Sequence, residues 1–229
     1  MKKVGIIGGI GPASTLDYYN DIIEGYRQCK QDDEYPRLVI DSINMTEMIH
    51  LLEQKRLDNL INLLLDSIKN LENAGADFAA IASNTPHVVF EQVQKRSGLP
   101  LISIVEETCK TAQLHNYKTV VILGTKFTMN SGLYTNAFAK YNINAIVPSA
   151  EEQEVIHNII FPNLENGLVL PQEKSKMLSI AEDLIQVHHA DALVLGCTEL
   201  PLMIKKEDIA TPLLNTTEIH IQSIIKELL

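Results

Sequence analysis

Apolar residues fall into short continuous runs, separated by longer stretches in which they recur every third or fourth position. The runs are residues 4–7, 38–43, 78–82, 101–105, 120–123, 145–147, 192–195 and 213–214, and they are rich in Val, Ile and Leu. Interrupted only at Asp41-Ser42 and Ser103, apolar runs of this length fit strands buried on both faces. Stretches 49–74 and 175–188 carry the spacing of amphipathic helices instead. Strand and helix alternate along the chain, which predicts an α/β fold with parallel sheets covered by helices. Charged residues collect in the helical stretches, as burial of both sheet faces demands.

The pattern also repeats. Val4-Gly5-Ile6-Ile7-Gly8 returns as Val120-Val121-Ile122-Leu123-Gly124, an offset of 116. Ala76-Asp77 through Ser83-Asn84-Thr85 returns as Ala190-Asp191 through Cys197-Thr198-Glu199, an offset of 114. Pro100-Leu101-Ile102-Ser103 returns as Pro212-Leu213-Leu214-Asn215, an offset of 112. Three matches in one order at nearly constant spacing predict two similar α/β domains related by a pseudo-twofold axis. The first should span residues 1–112, the second 113–210, with 211–229 completing the first. Ligands of open parallel sheets bind beyond the carboxyl ends of the strands. The duplication therefore pairs Ser83 with Cys197, with the expected site in the cleft between the domains.

Composition narrows the partners. Of 229 residues, 45% are hydrophobic and 21% charged, and the net charge is −10. That acidity argues against nucleic-acid and anionic-membrane partners, and 5% aromatics without Trp argues against a base-stacking surface. Three scattered cysteines, Cys29, Cys109 and Cys197, suit free thiols in a reducing, cytoplasmic compartment. Cys29 and Cys109 fall in helical patterns and read as packing residues. The opening Met1-Lys2-Lys3 and its apolar run break at Gly8-Gly9, too early for a secretory leader. No apolar stretch approaches the roughly 18 residues of a membrane span.

Candidate chemistry sits in the loops that follow strands. Thr85 is a candidate N-cap with Pro86 at the first helical position, which leaves Ser83 and Asn84 near unpaired N–H groups. Cys197-Thr198-Glu199-Leu200-Pro201 repeats the design. A helix N-terminus there should lower the thiol pKa below its usual value of about 8.5. The loop Gly8-Gly9-Ile10-Gly11-Pro12-Ala13-Ser14 departs from the dinucleotide fingerprint at Ser14, and a small-anion loop fits better. The seven histidines show no metal-ligand spacing, so no metal is expected. His87 lies four residues after Ser83 without a nucleophile elbow, which makes it a structural or substrate contact and not a triad base. Glu53-Gln54-Lys55-Arg56 could supply a cation for a distal carboxylate or begin a surface helix.

Gly8-Gly9-Ile10-Gly11-Pro12, Ser83-Asn84-Thr85-Pro86-His87, Gly124-Thr125-Lys126-Phe127-Thr128-Met129 and Gly196-Cys197-Thr198-Glu199-Leu200 together resemble the cofactor-independent aspartate/glutamate racemase family. The resemblance covers nearly the whole chain. It implies two pseudo-symmetric domains, one active site between them, a homodimer, and proton transfer at Cα of a small acidic amino acid with no cofactor. On that resemblance Ser83 and Cys197 are catalytic, while Ile10, Asn84, Thr85, Thr125, Thr198 and Glu199 bind substrate. Ser83 stands where a second cysteine is expected, which resembles the branch carrying a hydroxyl residue there and preferring L-aspartate and L-glutamate. A hydroxyl is a poor base at neutral pH, so an asymmetric catalyst is expected. Leu52 stands where related sequences carry a polar substrate-reading residue, and Gln54, Lys55 and Arg56 are candidates to replace it. Two other readings stay open: a Cys-dependent decarboxylase or cis–trans isomerase of a small diacid, and a catalytically decayed carboxylate-binding protein.

Overall fold

A computed structural model describes residues 1–30, 33–161 and 163–229. The elements run β1 (Lys3–Gly8), α1 (Pro12–Lys30), β2 (Arg37–Ser42), α2 (Met45–Glu53), α3 (Leu57–Asn73) and β3 (Phe78–Ile81). A 3-10 turn (Thr85–Val89), α4 (Phe90–Arg96), β4 (Leu101–Ile102) and α5 (Ile104–Leu114) follow. Next come β5 (Thr119–Gly124), α6 (Lys126–Asn130), α7 (Leu133–Ala139), β6 (Asn144–Ile146) and α8 (Ala150–Ile160). After a second 3-10 turn (Leu164–Asn166) come α9 (Pro171–His188), β7 (Ala192–Gly196), α10 (Leu200–Met203), β8 (Leu213–Asn215) and α11 (Thr216–Leu228).

The strands form two four-stranded parallel sheets, ordered β2-β1-β3-β4 and β6-β5-β7-β8. The order is the same when each sheet is counted from its own first strand, so the sequence repeat is a repeat of topology. Strands β3, β5 and β7 are buried along almost their whole length, which is why their sequences alternate so little.

Two compact units result, Met1–Ile104 with Thr217–Leu229, and Val105–Thr216. The first break falls at residue 104 and not at 112. Helix α5 belongs with the second unit, where the Tyr141 hydroxyl donates to the Glu106 carboxylate. The terminal piece of the first unit begins at Thr217 and not at 211, because β8 pairs with β7. In the first unit Val4, Ile6, Phe78 and Ala80 of the sheet pack with Tyr18, Ile22 and Tyr26 of α1, and with Ile221, Ile224 and Ile225 of α11. In the second, Val121, Leu123, Leu193 and Leu195 pack with Ile156 and Ile160 of α8 and Met177 of α9.

Two sequence expectations change here. The helical stretch 49–74 is two helices, since Lys55 adopts φ 54° and ends α2. The N–H of Arg56 bonds Leu51 O at 2.8 Å, closing the helix as a left-handed terminus does. Glycine usually marks such an end, and its place here is held by lysine, so periodicity alone runs through the break. The run 101–105 yields only a two-residue strand, because α5 begins at Ile104. Cys109 is buried as expected, whereas Cys29 is exposed on α1.

Candidate active site

Each unit presents the same pair of loops at the carboxyl ends of its two central strands. In the first unit β1 and β3 run in register to Ile7 and Ile81, so the glycine loop and Ser83 emerge side by side. In the second, β5 and β7 end on the pair Gly124 and Gly196, and Thr125 and Cys197 follow directly. A Cβ on Gly124 would lie 3.0 Å from Gly196 O, and one on Gly196 would lie 3.0 Å from Leu123 O. Glycine at both positions lets the two strand ends lie that close.

The glycine loop is self-satisfied. Thr15 Oγ1 accepts the Gly9 N–H at 2.9 Å and donates to Gly11 O at 3.1 Å. Gly9 and Gly11 take φ of 79° and 66°, a region open to glycine at little cost. One N–H that the small-anion reading needs is therefore already engaged. The Ile10 side chain is buried. Ser14 Oγ, at the position where the loop departs from the dinucleotide fingerprint, is buried with no hydrogen-bond partner at the start of α1.

Ser83 is half-buried, and its N–H bonds Ile81 O at 2.8 Å in a tight turn. Among the described residues no side chain bonds its hydroxyl. Asn84 is buried and Thr85 half-buried. The expected Thr85 cap does not form: the first turn is 3-10, Asn84 precedes it with φ −76° and ψ −48°, and no side chain caps it. His87 Nδ1 donates to the Ser83 carbonyl at 2.9 Å and not to the hydroxyl, so it is no triad base. Burial, helped by nearby His220, lowers the His87 pKa to about 3 and keeps the ring neutral.

Cys197 is buried, and Thr198 and Glu199 are half-buried. The thiol donates to Glu199 Oε2 at 2.9 Å, and Thr198 Oγ1 donates to the same oxygen at 2.8 Å. The thiol pKa is raised well above its ordinary value, contrary to the sequence expectation. Burial is the largest cause, followed by the charge and hydrogen bond of Glu199, with Glu165 adding to it. Helix α10 is a single turn and has little dipole to offer, so burial and the neighbouring carboxylates together decide the sign. Glu165 lies in the second 3-10 turn, and burial and Glu199 raise its own pKa. Its position is a product of folding, with no motif around it.

Thr125 Oγ1 caps α6, accepting the Thr128 N–H at 3.2 Å. The segment Gln54–Lys55–Arg56 joins α2 to α3, and Arg56 lines a polar groove of about 570 Å³ with Asn44, His50, Asn59 and Asp66. Among the described residues no group of His, Cys, Asp or Glu has metal-site geometry, and no helix is long and apolar enough to cross a membrane.

Two similar parallel α/β units, each with a serine or cysteine beyond its third strand, define the two-domain racemase class. Residues 7–224 match the Asp/Glu/hydantoin racemase family, and the chain belongs to that family. The Bacillus subtilis broad-specificity amino-acid racemase RacX is 27% identical over 93% of this chain and 92% of its own. An aspartate racemase homologue from Pyrococcus horikoshii OT3 superposes with a TM-score of 0.85 at 36% identity, covering 100% of this chain and 99% of that one. A Yersinia pestis protein named as a candidate Asp/Glu racemase superposes with a TM-score of 0.93 at 25% identity, with the same coverage.

Proposed function

We propose that the protein racemises an amino acid by moving a proton at Cα, with no cofactor, using Cys197 on one face and Ser83 on the other. The observation that carries this reading is the hydrogen bond from Cys197 Sγ to Glu199 Oε2. A buried thiol is a weak base until it loses its proton, and Glu199 is placed to take it. The thiolate then removes the Cα proton, and the electron pair moves toward the substrate carboxylate as negative charge. Asn84, Thr85 and Thr198 are the donors assigned to that charge, and such preorganised donors carry much of the barrier lowering. The Ser83 hydroxyl delivers a proton to the opposite face, giving the other enantiomer, and regains one from solvent while Glu199 gives up the one it took. Ile10 and Thr125 line the substrate in this reading. The substrate we assign is aspartate or glutamate, in keeping with the racemases among its relatives, and RacX makes a wider range the competing result. A homodimer is part of the reading, and a solution mass near twice 25.5 kDa tests it.

The test is proton NMR in D2O with the separate enantiomers of aspartate, glutamate, and a neutral and a basic amino acid. Loss of the Cα proton signal with appearance of the other enantiomer is the expected result. Cys197→Ala should abolish it, and Ser83→Cys should speed the reaction from the enantiomer facing residue 83. No exchange with any amino acid overturns the reading. A second reading is favoured by the unassisted Ser83 hydroxyl: one-directional carbanion chemistry on a diacid, with Cys197 as the sole proton donor. Turnover of a malonate or maleate without any amino-acid exchange would select it.

A further inference from the structure

We propose that His87 is the positioning residue for Ser83, clamping its carbonyl so that the hydroxyl faces the substrate, with the C-terminal helix α11 holding His87 in place. The inference rests on the racemase reading above.

Ser83 has two backbone handles. Its N–H is tied to Ile81 O at 2.8 Å, and its carbonyl is tied to His87 Nδ1 at 2.9 Å. A carbonyl can only accept, so Nδ1 carries the hydrogen and Nε2 is bare. The ring is held on two sides. Phe90 stacks on it with centroids 4.9 Å apart and planes 9° apart, and His220 meets it edge-on at 6.4 Å and 82°.

His220 is itself fixed. Its Nε2 donates to Ile102 O at 3.0 Å, which leaves Nδ1 to accept from the Tyr18 hydroxyl at 2.7 Å. A continuous path of packed and bonded groups therefore leads from α1, β4 and α11 to the carbonyl of Ser83.

The bare nitrogen is the second, independent observation. His87 Nε2 is buried and has no hydrogen-bond partner. A buried acceptor without a donor is a cost that a phenyl ring of similar size would not carry. What histidine supplies, and an apolar ring cannot, is the Nδ1–H bond to Ser83. The ring also stays neutral, since burial lowers its pKa to about 3. At the position equivalent to His87 the second unit has Pro201, and there Glu199 serves Cys197 at the reacting sulfur. The two halves thus support their reacting residues differently: Cys197 through its side chain, Ser83 through its backbone.

The test separates two quantities in D2O. Cα exchange of the enantiomer facing Cys197, without inversion, reports on Cys197 and Glu199. Conversion to the other enantiomer also needs Ser83. In His87→Phe the ratio of conversion to exchange should fall by about 10–100-fold, the scale of a small misplacement of a reacting group. His87→Asn places an amide N–H where Nδ1 sits and should restore the ratio. His87→Gln places it where Nε2 sits and should not. Should the Phe variant fail to fold, the Asn and Gln variants carry the same comparison. A ratio unchanged in both Phe and Gln variants, or exchange and conversion falling in step, overturns the role of His87. Absence of exchange in the unaltered protein overturns the racemase reading instead.

Discussion

Cys197 and Glu199 share a hydrogen bond of 2.9 Å, with the thiol donating and the carboxylate accepting. Burial and this pair raise a thiol pKa that a position at a helix start was expected to lower. The acidity of Cys197 is set by burial and by the carboxylate two residues further on, and not by the short helix behind it.

Glu199→Gln keeps the shape and removes the proton acceptor. Exchange of the enantiomer facing Cys197 should drop by roughly 10²–10⁴-fold, the usual contribution of a positioned acid–base group. Because the Glu199 charge raises the thiol pKa, the same variant should also be alkylated at Cys197 at lower pH. Unchanged exchange and an unchanged alkylation profile would remove Glu199 from the proton path.

His87 ties stability to acid pH. In the unfolded chain its imidazole takes a proton below about 6.5, whereas the folded protein resists until about 3. Between those values the unfolded state binds more protons, so this contribution to stability is present above 6.5 and is lost as pH falls. The stability advantage of the unaltered protein over His87→Phe should change by about 1.4 kcal/mol per pH unit across that window, read by urea unfolding. A constant difference would mean that His87 is charged, or accessible, in the fold. His220 lies beside it, with Tyr18 packed on His220, and both are unchanged in the comparison.

Gly9→Ala should destabilise the first unit. Its φ is 79°, and a Cβ would lie 2.4 Å from Ile43 O, a backbone atom that cannot rotate away. The expected cost is about 1–3 kcal/mol, read as a lower Tm. An unchanged Tm would show that the loop has another conformation of similar energy.

Thr125→Ala separates a structural role from a substrate role. Loss of the α6 cap should cost about 1 kcal/mol, and Thr125→Ser should recover it. A KM that rises in the Ala variant and recovers with Ser, measured well below the Tm of both, would assign the hydroxyl to the substrate as well. A KM that stays constant would leave it as a cap.

Much of this arrangement is visible before folding. The apolar runs of β1, β3, β5 and β7 are the central strands buried on both faces, and their sequences show it. Strands β2, β4, β6 and β8 lie at sheet edges and are read from the alternation of strand with helix. Nearly constant offsets between landmarks reveal that the two sheets repeat, and with them that Ser83 and Cys197 occupy equivalent strand ends. Short-range chemistry of this kind is written in consecutive residues.

Properties that depend on neighbours distant in the chain are not written there. The ownership of α5 and of residues 211–216 is decided by packing and by the pairing of β8 with β7. Glu165 comes near Cys197 from 32 positions earlier, and His220 reaches Ile102 across 118. A sequence can nominate a cysteine at a helix start. Only the folded chain surrounds it with apolar atoms and carboxylates, and desolvation and charge then reverse the sign of its pKa shift.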